Sequence, residues 1–368
     1  MFKKIYLRVV CTPFCQHISE NSNSPWKSKC QVYIVLVSMS IIKPLKIGNL
    51  TFPNNIIQGP LAGISCAPFR LLTWKYGKPA FSCTEMISCK ALLHQTRLAQ
   101  QRYIVKDPKE GPACFQLFGN NPTEMAEATK IVTDCGADLI DLNCGCPVKK
   151  VRCQGAGSKL LTEIDTLYKL LIAIKQNTHL PVSAKIRVEG NSDEKHNAAI
   201  ADMLNDSGVD FVVVHGRHWT ERYNIPCHYD QIQFFVTQLR VPVIGNGDVA
   251  CLNSMRKMFS TGCAGVMIAR AGVGRPWLTR ELIAKENNEP FFAPSSHEIA
   301  EIFIEHVQKL AAMFGGEKFA VLQARSLAPH YARGLSHKRE FCNAMNTCEN
   351  LQDFKNLCSR YLVSGDVL

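Results

Sequence analysis

Between residues 55 and 268 short apolar runs alternate with longer stretches whose apolar positions recur at helical spacing. The runs are Asn55–Gln58, Ala80–Thr84, Ala113–Leu117, Leu139–Asn143, Val182–Ile186, Phe211–Val214, Val241–Gly245 and Gly265–Ile268. Phe211–Val214 holds no polar residue, as expected of a strand buried on both faces of a parallel sheet. Among the connections, Pro122-Thr123-Glu124-Met125 opens a helix predicted to run to Thr133, and Thr162-Glu163-Ile164-Asp165 one predicted to run to Ile174. Eight βα units within about 230 residues predict a (β/α)8 TIM barrel. A doubly wound open sheet is the alternative, but no Gly-x-Gly-x-x-Gly turn follows the first strand.

From about Ser295 the pattern turns helical throughout. Ile299, Ile302, Phe303, His306 and Val307 share one face, and helical stretches follow at Leu322–Ala332 and Phe354–Leu362. The chain is therefore divided into a barrel at 39–290 and a small all-helical domain at 291–368. Residues 1–38 show no periodicity. Their apolar run, Val32–Val37 extended to Ile42, is too short to span a bilayer and lies too far from the basic start to read as a signal peptide. They are expected to be a dispensable extension of a cytoplasmic, monomeric protein with no membrane partner.

The chain has 368 residues, 46% hydrophobic and 20% charged, which is globular composition without repeats or low-complexity segments. Its 17 cysteines include no Cys-x-x-Cys pair, which points to free thiols in a reducing compartment and away from a zinc ribbon. No metal site is expected, even at Cys144, Cys146 and Cys153. The formal net charge is +11, with the excess between 39 and 280, where the predicted strand ends lie. A basic catalytic face suits a polyanion better than a small neutral metabolite.

Barrel chemistry sits at the C-terminal ends of the strands. There the sequence places Gly59-Pro60-Leu61-Ala62-Gly63, Gln116, Asn143-Cys144-Gly145-Cys146-Pro147, Lys185-Ile186-Arg187, His215-Gly216-Arg217, Gly245-Asn246-Gly247-Asp248 and Ala269-Arg270-Ala271-Gly272. Polar side chains that end apolar strands are costly unless they meet a ligand or one another. The glycine-rich loops after the last two strands occupy the usual phosphate position of such barrels. With Lys185 and Gln116 on the floor, the set suits FMN.

These residues resemble a known family. Asn143-Cys144-Gly145-Cys146-Pro147, Lys149-Lys150-Val151 and Gly155-Ala156-Gly157-Ser158 are similar to the signature of tRNA-dihydrouridine synthases, closest to the bacterial B-type branch. Pro60–Ile64, Pro68-Phe69-Arg70, Gln116, Lys185–Arg187, His215–Arg217 and Asn246–Asp248 follow in that family's order, and the likeness covers roughly 40–365. The resemblance implies FMN contacts from Pro60, Leu61, Ala62, Gln116, Lys185, His215, Asn246, Gly247, Asp248, Ala269 and Arg270. Two positions depart from the family pattern: Leu61 stands where Met is frequent, and Ala269 where Gly is, so Ala269 is the least secure contact.

The implied reaction is reduction of the C5–C6 double bond of a tRNA uridine, with NADPH or NADH as electron source. Hydride goes from reduced FMN to C6 and a proton from Cys146 to C5. A thiol suits that task, being acidic enough to donate yet protonated near neutrality. Lys185 is expected to stabilise the anionic reduced flavin, and Asn143 and Arg187 to hold the uracil or an adjacent phosphate. The target base must leave its stack to reach a barrel floor, which calls for a basic rim. Lys149, Lys150, Arg152, Arg325, Arg333, Lys338 and Arg339 are the candidate phosphate contacts. Two alternatives keep the barrel: an FMN-dependent oxidoreductase of a small molecule, and an RNA-binding protein without catalysis.

Overall fold

A computed structural model of the chain describes residues 40–189 and 194–364. The predicted extension at 1–38 lies outside the described residues. The chain forms two units, 1–41 and 42–368, and the fold below is that of the second.

Among the described residues eleven strands are formed. They are β1 Leu45–Ile47, β2 Leu50–Phe52, β3 Ile56–Gln58, β4 Ser82–Cys83, β5 Ile87–Ser88, β6 Ala113–Phe118, β7 Leu139–Cys144, β8 Val182–Arg187, β9 Phe211–His215, β10 Val243–Asn246 and β11 Gly265–Ile268. All pairings from β3 onward are parallel, and β4 pairs with both β3 and β6, so β3, β4 and β6 to β11 close into an eight-stranded ring. Each of the eight predicted runs lies on one of these strands, and the barrel architecture is as expected. The predicted helices appear as Pro122–Asp134 and Ile164–Lys175. Asn121 caps the first, accepting from the Thr123 and Glu124 N–H groups, with Pro122 in the first turn where its missing donor costs nothing.

Two strand features went unforeseen. β5 pairs its Ile87 and Ser88 with Leu117 and Phe118, the last two residues of β6. The β1–β2 pair is an antiparallel hairpin, turned at Gly48 with φ 56°, that plugs the N-terminal end of the barrel. Its Leu45, Ile47 and Phe52 pack with Phe81, Phe211 and Ile244 beneath the strands, and Phe52 meets Phe81 at 5.3 Å between centroids. Burying a side chain such as Phe52 contributes about 1.5–3 kcal/mol. The polar strand termini lie at the opposite end, which opens as a cleft.

The tail forms helices at Ser296–Phe314, Glu317–Tyr331, Lys338–Asn346 and Leu351–Cys358. Ser295 and Glu298 make a reciprocal capping box on the first, and Gly315 ends it at φ 68°. These helices share a core of their own around Phe303, which stacks on Tyr331 at 4.2 Å and meets Phe354 edge-on at 4.9 Å. The tail is tied to the helix Ala67–Gly77 by Lys75 and Tyr76, which both bind the Glu305 carboxylate. The candidate phosphate contacts Arg325, Arg333, Lys338 and Arg339 fall within residues 325–339, which are not one element. They span a helix end, a turn at Gly334 with φ 90°, and the start of the unforeseen helix Lys338–Asn346.

Candidate active site

The open end of the barrel is a cleft of about 970 Å3. Pro60, Leu61, Ala62, Gln116, Lys185, His215, Asn246, Gly247, Asp248, Ala269 and Arg270 all line it, together with Cys146, Asn143, Arg187 and Arg333. Lys149 and Lys150 do not. They are exposed on the short helix Lys149–Arg152 that leaves the Cys146 loop.

A line of hydrogen bonds crosses the floor. The buried Asp141 carboxylate accepts from Ser183 Oγ at 2.6 Å and from Gln116 Nε2 at 2.7 Å. Gln116 Oε1 accepts from Asn143 Nδ2 at 2.8 Å, and Asn143 Oδ1 accepts from the Gly145 and Cys146 N–H groups at 3.2 and 3.0 Å. Strand alternation puts 141 and 143 on one face, and the register sets Gln116 opposite Asp141 and Lys185 opposite Asn143. Burial pushes the Asp141 carboxyl up to about 6, against the pull of Ser183, Gln116 and Lys185.

Beyond Asn143 the chain turns sharply to present Cys146. The Cys146 carbonyl accepts from the Ser158 N–H at 3.0 Å. Gly157 has φ 63°, and a Cβ there would meet that carbonyl at 2.7 Å, so this position admits only glycine. Arg187 closes the turn from β8, its Nε donating to the Gly145 carbonyl at 2.6 Å and its Nη1 to the His218 carbonyl at 3.1 Å. The Cys146 thiol is half-buried, and that burial pushes it above its ordinary value, with Arg187 opposing. It is therefore protonated at neutral pH.

The cleft is cationic. Burial, then Arg187, pushes the Lys185 ammonium down to about 8, while Asp141 holds it up. Its Nζ donates to Asn246 Oδ1 at 2.9 Å. His215 is driven well below the usual range by burial and then by Lys185, Arg187, Arg217 and Arg270, so it stands neutral. Arg217 is buried, its Nη2 binding both Asp248 carboxylate oxygens at 2.7 and 2.6 Å. Its Nη1 is buried without a hydrogen-bond partner among the described residues. Gly247 and Asp248 have φ 130° and 55°, a turn bent out of the strand at the expected phosphate end. Ala269 has φ −118°, which carries no left-handed penalty for its methyl group.

Removing the Asp248 carboxylate leaves Arg217 charged and unpaired in the barrel wall. Asp248→Ala is expected to destabilise the protein by about 1–2 kcal/mol, less than a fully buried ion pair would lose, because Arg217 is buried while the Asp248 carboxylate stands exposed. Urea unfolding checks this, and a midpoint equal to the wild type's rules it out.

The wall after β3 is held by the tail. Leu61 N–H donates to Ser65 Oγ at 2.9 Å, and Gln323 Nε2 of the helix Glu317–Tyr331 donates to the Gly63 carbonyl at 2.7 Å. Gly274 lies so close to that helix that a Cβ would meet the His330 carbonyl carbon at 2.5 Å. The same helix brings His330 into the cleft lining. The tail arginines separate. Arg333 reaches the Ala271 and Val273 carbonyls at the cleft edge, whereas Arg325 turns inward to the Cys348 carbonyl at 2.9 Å and serves the tail's own fold. Arg152 lies 3.4 Å over the Trp219 ring and binds Ser158 Oγ, while Lys338 and Arg339 open the helix Lys338–Asn346, away from the cleft lining.

Several lining residues carried no assignment from sequence: Met86, Arg217, Tyr223, Arg275 and His330. Arg217 was visible at a strand end. Tyr223 was not, since it sits in a polar loop and is 55% exposed, yet Arg270 stacks 3.5 Å over its ring.

Comparison with known proteins agrees with this geometry. A dihydrouridine synthase family model matches residues 57–364. The chain is 32% identical over 315 residues to tRNA-dihydrouridine synthase B of Vibrio cholerae, covering 84% of this chain and 97% of that one. It is 32% identical to the Pseudomonas aeruginosa protein of the same name, over 87% of this chain and 95% of that one. A probable tRNA-dihydrouridine synthase of Rickettsia conorii is 31% identical over 82% and 91%. Among solved structures, a morphinone reductase variant in complex with tetrahydroNAD superposes with a TM-score of 0.52 at 11% identity, over 71% of this chain and 94% of that one, a likeness of fold alone. No helix among the described residues is long and apolar enough to cross a membrane. The family model spans β3 to the last helix of the tail, and its relatives match over more than four-fifths of the chain: the chain belongs to the dihydrouridine synthase family.

Proposed function

We propose that this protein is an FMN-dependent tRNA-dihydrouridine synthase that reduces the C5–C6 double bond of a tRNA uridine, with NADPH or NADH as electron source. One observation carries the reading: a half-buried thiol, Cys146, lines the same cleft as Lys185, Arg187, Arg217 and Arg270. The donor set fits an anionic flavin. Among the described residues Arg217 Nη1 is a buried donor without an acceptor, and the carboxylate that lines the cleft, Asp248, is already paired with Arg217.

Gln116 and Lys185 would hold the ring from the floor, Pro60, Leu61 and Ala62 flank it, and His215, Asn246, Gly247, Asp248, Ala269 and Arg270 take the ribityl phosphate end. Asp248 contributes through its backbone, since Arg217 engages its carboxylate. Bound there, reduced FMN supplies the hydride for C6. Cys146 then donates the proton to C5 and regains one from solvent, so each turnover adds one hydride and one proton. Asn143 keeps the Cys146 loop in place, and Arg187 braces it from beneath. Lys149, Lys150 and Arg333 form the phosphate-contacting rim around a base flipped out of the tRNA.

The test is direct. Purified protein loaded with FMN is given NADPH and tRNA lacking dihydrouridine, and the nucleosides are read by mass spectrometry. New dihydrouridine at a defined position is expected. If tRNA stays unmodified while a small enone or free uracil is reduced, the small-molecule oxidoreductase takes its place.

A further inference from the structure

The buried carboxylate beneath the cleft is not explained by the reaction. Asp141 touches none of the expected flavin or uracil positions except through Gln116, is 3% exposed, and occupies a site where ionisation is disfavoured. An apolar residue would be a less expensive tenant of the barrel interior.

We infer that Asp141 is a positioning residue for Cys146, acting through Gln116 and Asn143. The direction of every bond in the relay follows from Asp141. An ionised carboxylate only accepts, so Gln116 must turn its amide nitrogen toward Asp141 and its oxygen toward Asn143. That oxygen takes the Asn143 amide nitrogen, which leaves Asn143 Oδ1 facing the Gly145 and Cys146 N–H groups. With any other order, two donors or two acceptors face each other. Ser183 pins the far oxygen of Asp141 from β8, so the relay has a fixed end. The loop that carries the thiol is thus oriented from the barrel floor by a group that does not touch the reacting atoms.

The catalytic consequence rests on the reading of Cys146 as the proton donor. The loop geometry does not, so the experiment reads the two separately. Asp141→Leu removes the acceptor while keeping the site filled. Asp141→Asn keeps it, because the Asn oxygen can take the Gln116 amide nitrogen while its own nitrogen donates to the Ser183 hydroxyl. In the FMN-loaded protein, the rate of Cys146 alkylation by iodoacetamide is followed by peptide mass spectrometry, beside kcat and KM for tRNA.

Asp141→Leu is expected to speed Cys146 alkylation about fivefold, the shift that follows from loss of one ordinary hydrogen bond. It is also expected to lower kcat about tenfold while KM for tRNA stays unchanged. Asp141→Asn is expected to stay within about twofold of wild type on both measures, which a role confined to stability does not predict. Should Asp141→Leu fail to fold, Gln116→Met severs the relay one link higher, and the same faster alkylation is expected. Wild-type alkylation in the severed variant overturns the inference, as does an Asn variant as altered as the Leu variant. Wild-type protein that forms no dihydrouridine overturns the functional reading instead and leaves the alkylation result standing.

Discussion

Cys146→Ala is expected to keep its flavin and its tRNA affinity but to reduce uridine about 10²–10⁴-fold more slowly, the usual contribution of a positioned general acid. The alanine removes only the Sγ, because the loop is held through backbone groups: the Cys146 N–H on Asn143, its carbonyl on the Ser158 N–H, and the Gly145 carbonyl on Arg187. Flavin reduction by NADPH should therefore be unaffected, and the defect should appear only when tRNA oxidises the reduced enzyme. Serine at 146 should recover little, since its hydroxyl is several units less acidic than a thiol. The pH profile has a definite sign. The donor must be protonated, and burial lifts the thiol above its ordinary value of 9, so kcat should hold through neutrality and fall only in the alkaline range. Rapid-mixing kinetics with reduced enzyme and tRNA checks this. An alanine variant within threefold of wild type would assign the proton to another group.

Glu110→Ala is expected to cost about 3–5 kcal/mol, the range for stranding a buried partner, and to lower the melting temperature by roughly 5–10 °C. Arg70 and Glu110 are both buried and joined by two parallel bonds of 2.8 Å. Arg70 also donates to the Ser65 and Val105 carbonyls, so without the carboxylate its charge remains among neutral acceptors. The effect reaches the cleft. Ser65 Oγ holds the Leu61 N–H, so a loosened Arg70 frees the wall expected to flank the flavin. Calorimetry should show the lower transition, and FMN titration a weaker Kd. Glu110→Gln, which keeps the shape and one acceptor, should lose less. Equal melting temperatures for wild type and alanine would mean that Arg70 finds water or another partner.

Much of the barrel was readable because its signals are local. Val212, Val213 and Val214 form a continuous apolar run, the mark of a strand covered on both faces, and the polar His215 that follows marks its C-terminal end. The hairpin at Leu45–Phe52 escaped because three-residue strands carry too little alternation to separate from an irregular domain start. The tail's third helix escaped because Lys338, Arg339 and Glu340 read as charge, while the Phe341 and Met345 it buries are only two positions. Arg325 and Arg333 looked alike in sequence. Their fates differ because one faces the Cys348 carbonyl within the tail and the other the loop after β11.

The sequence by itself determined which residue types end each strand, and hence that a cationic, thiol-bearing floor would form wherever those ends converge. Strand direction and side-chain alternation are properties of consecutive residues, so this much needs no distant contact. Tertiary structure alone decided which polar groups meet: Asp141 with Gln116 and Ser183, Arg217 with Asp248, and Gln323 of the tail with Gly63 of the barrel. Those pairs lie 25, 42, 31 and 260 residues apart. Their meeting depends on ring closure and on how the tail docks, which are set by the summed packing of many apolar side chains and not by any local pattern.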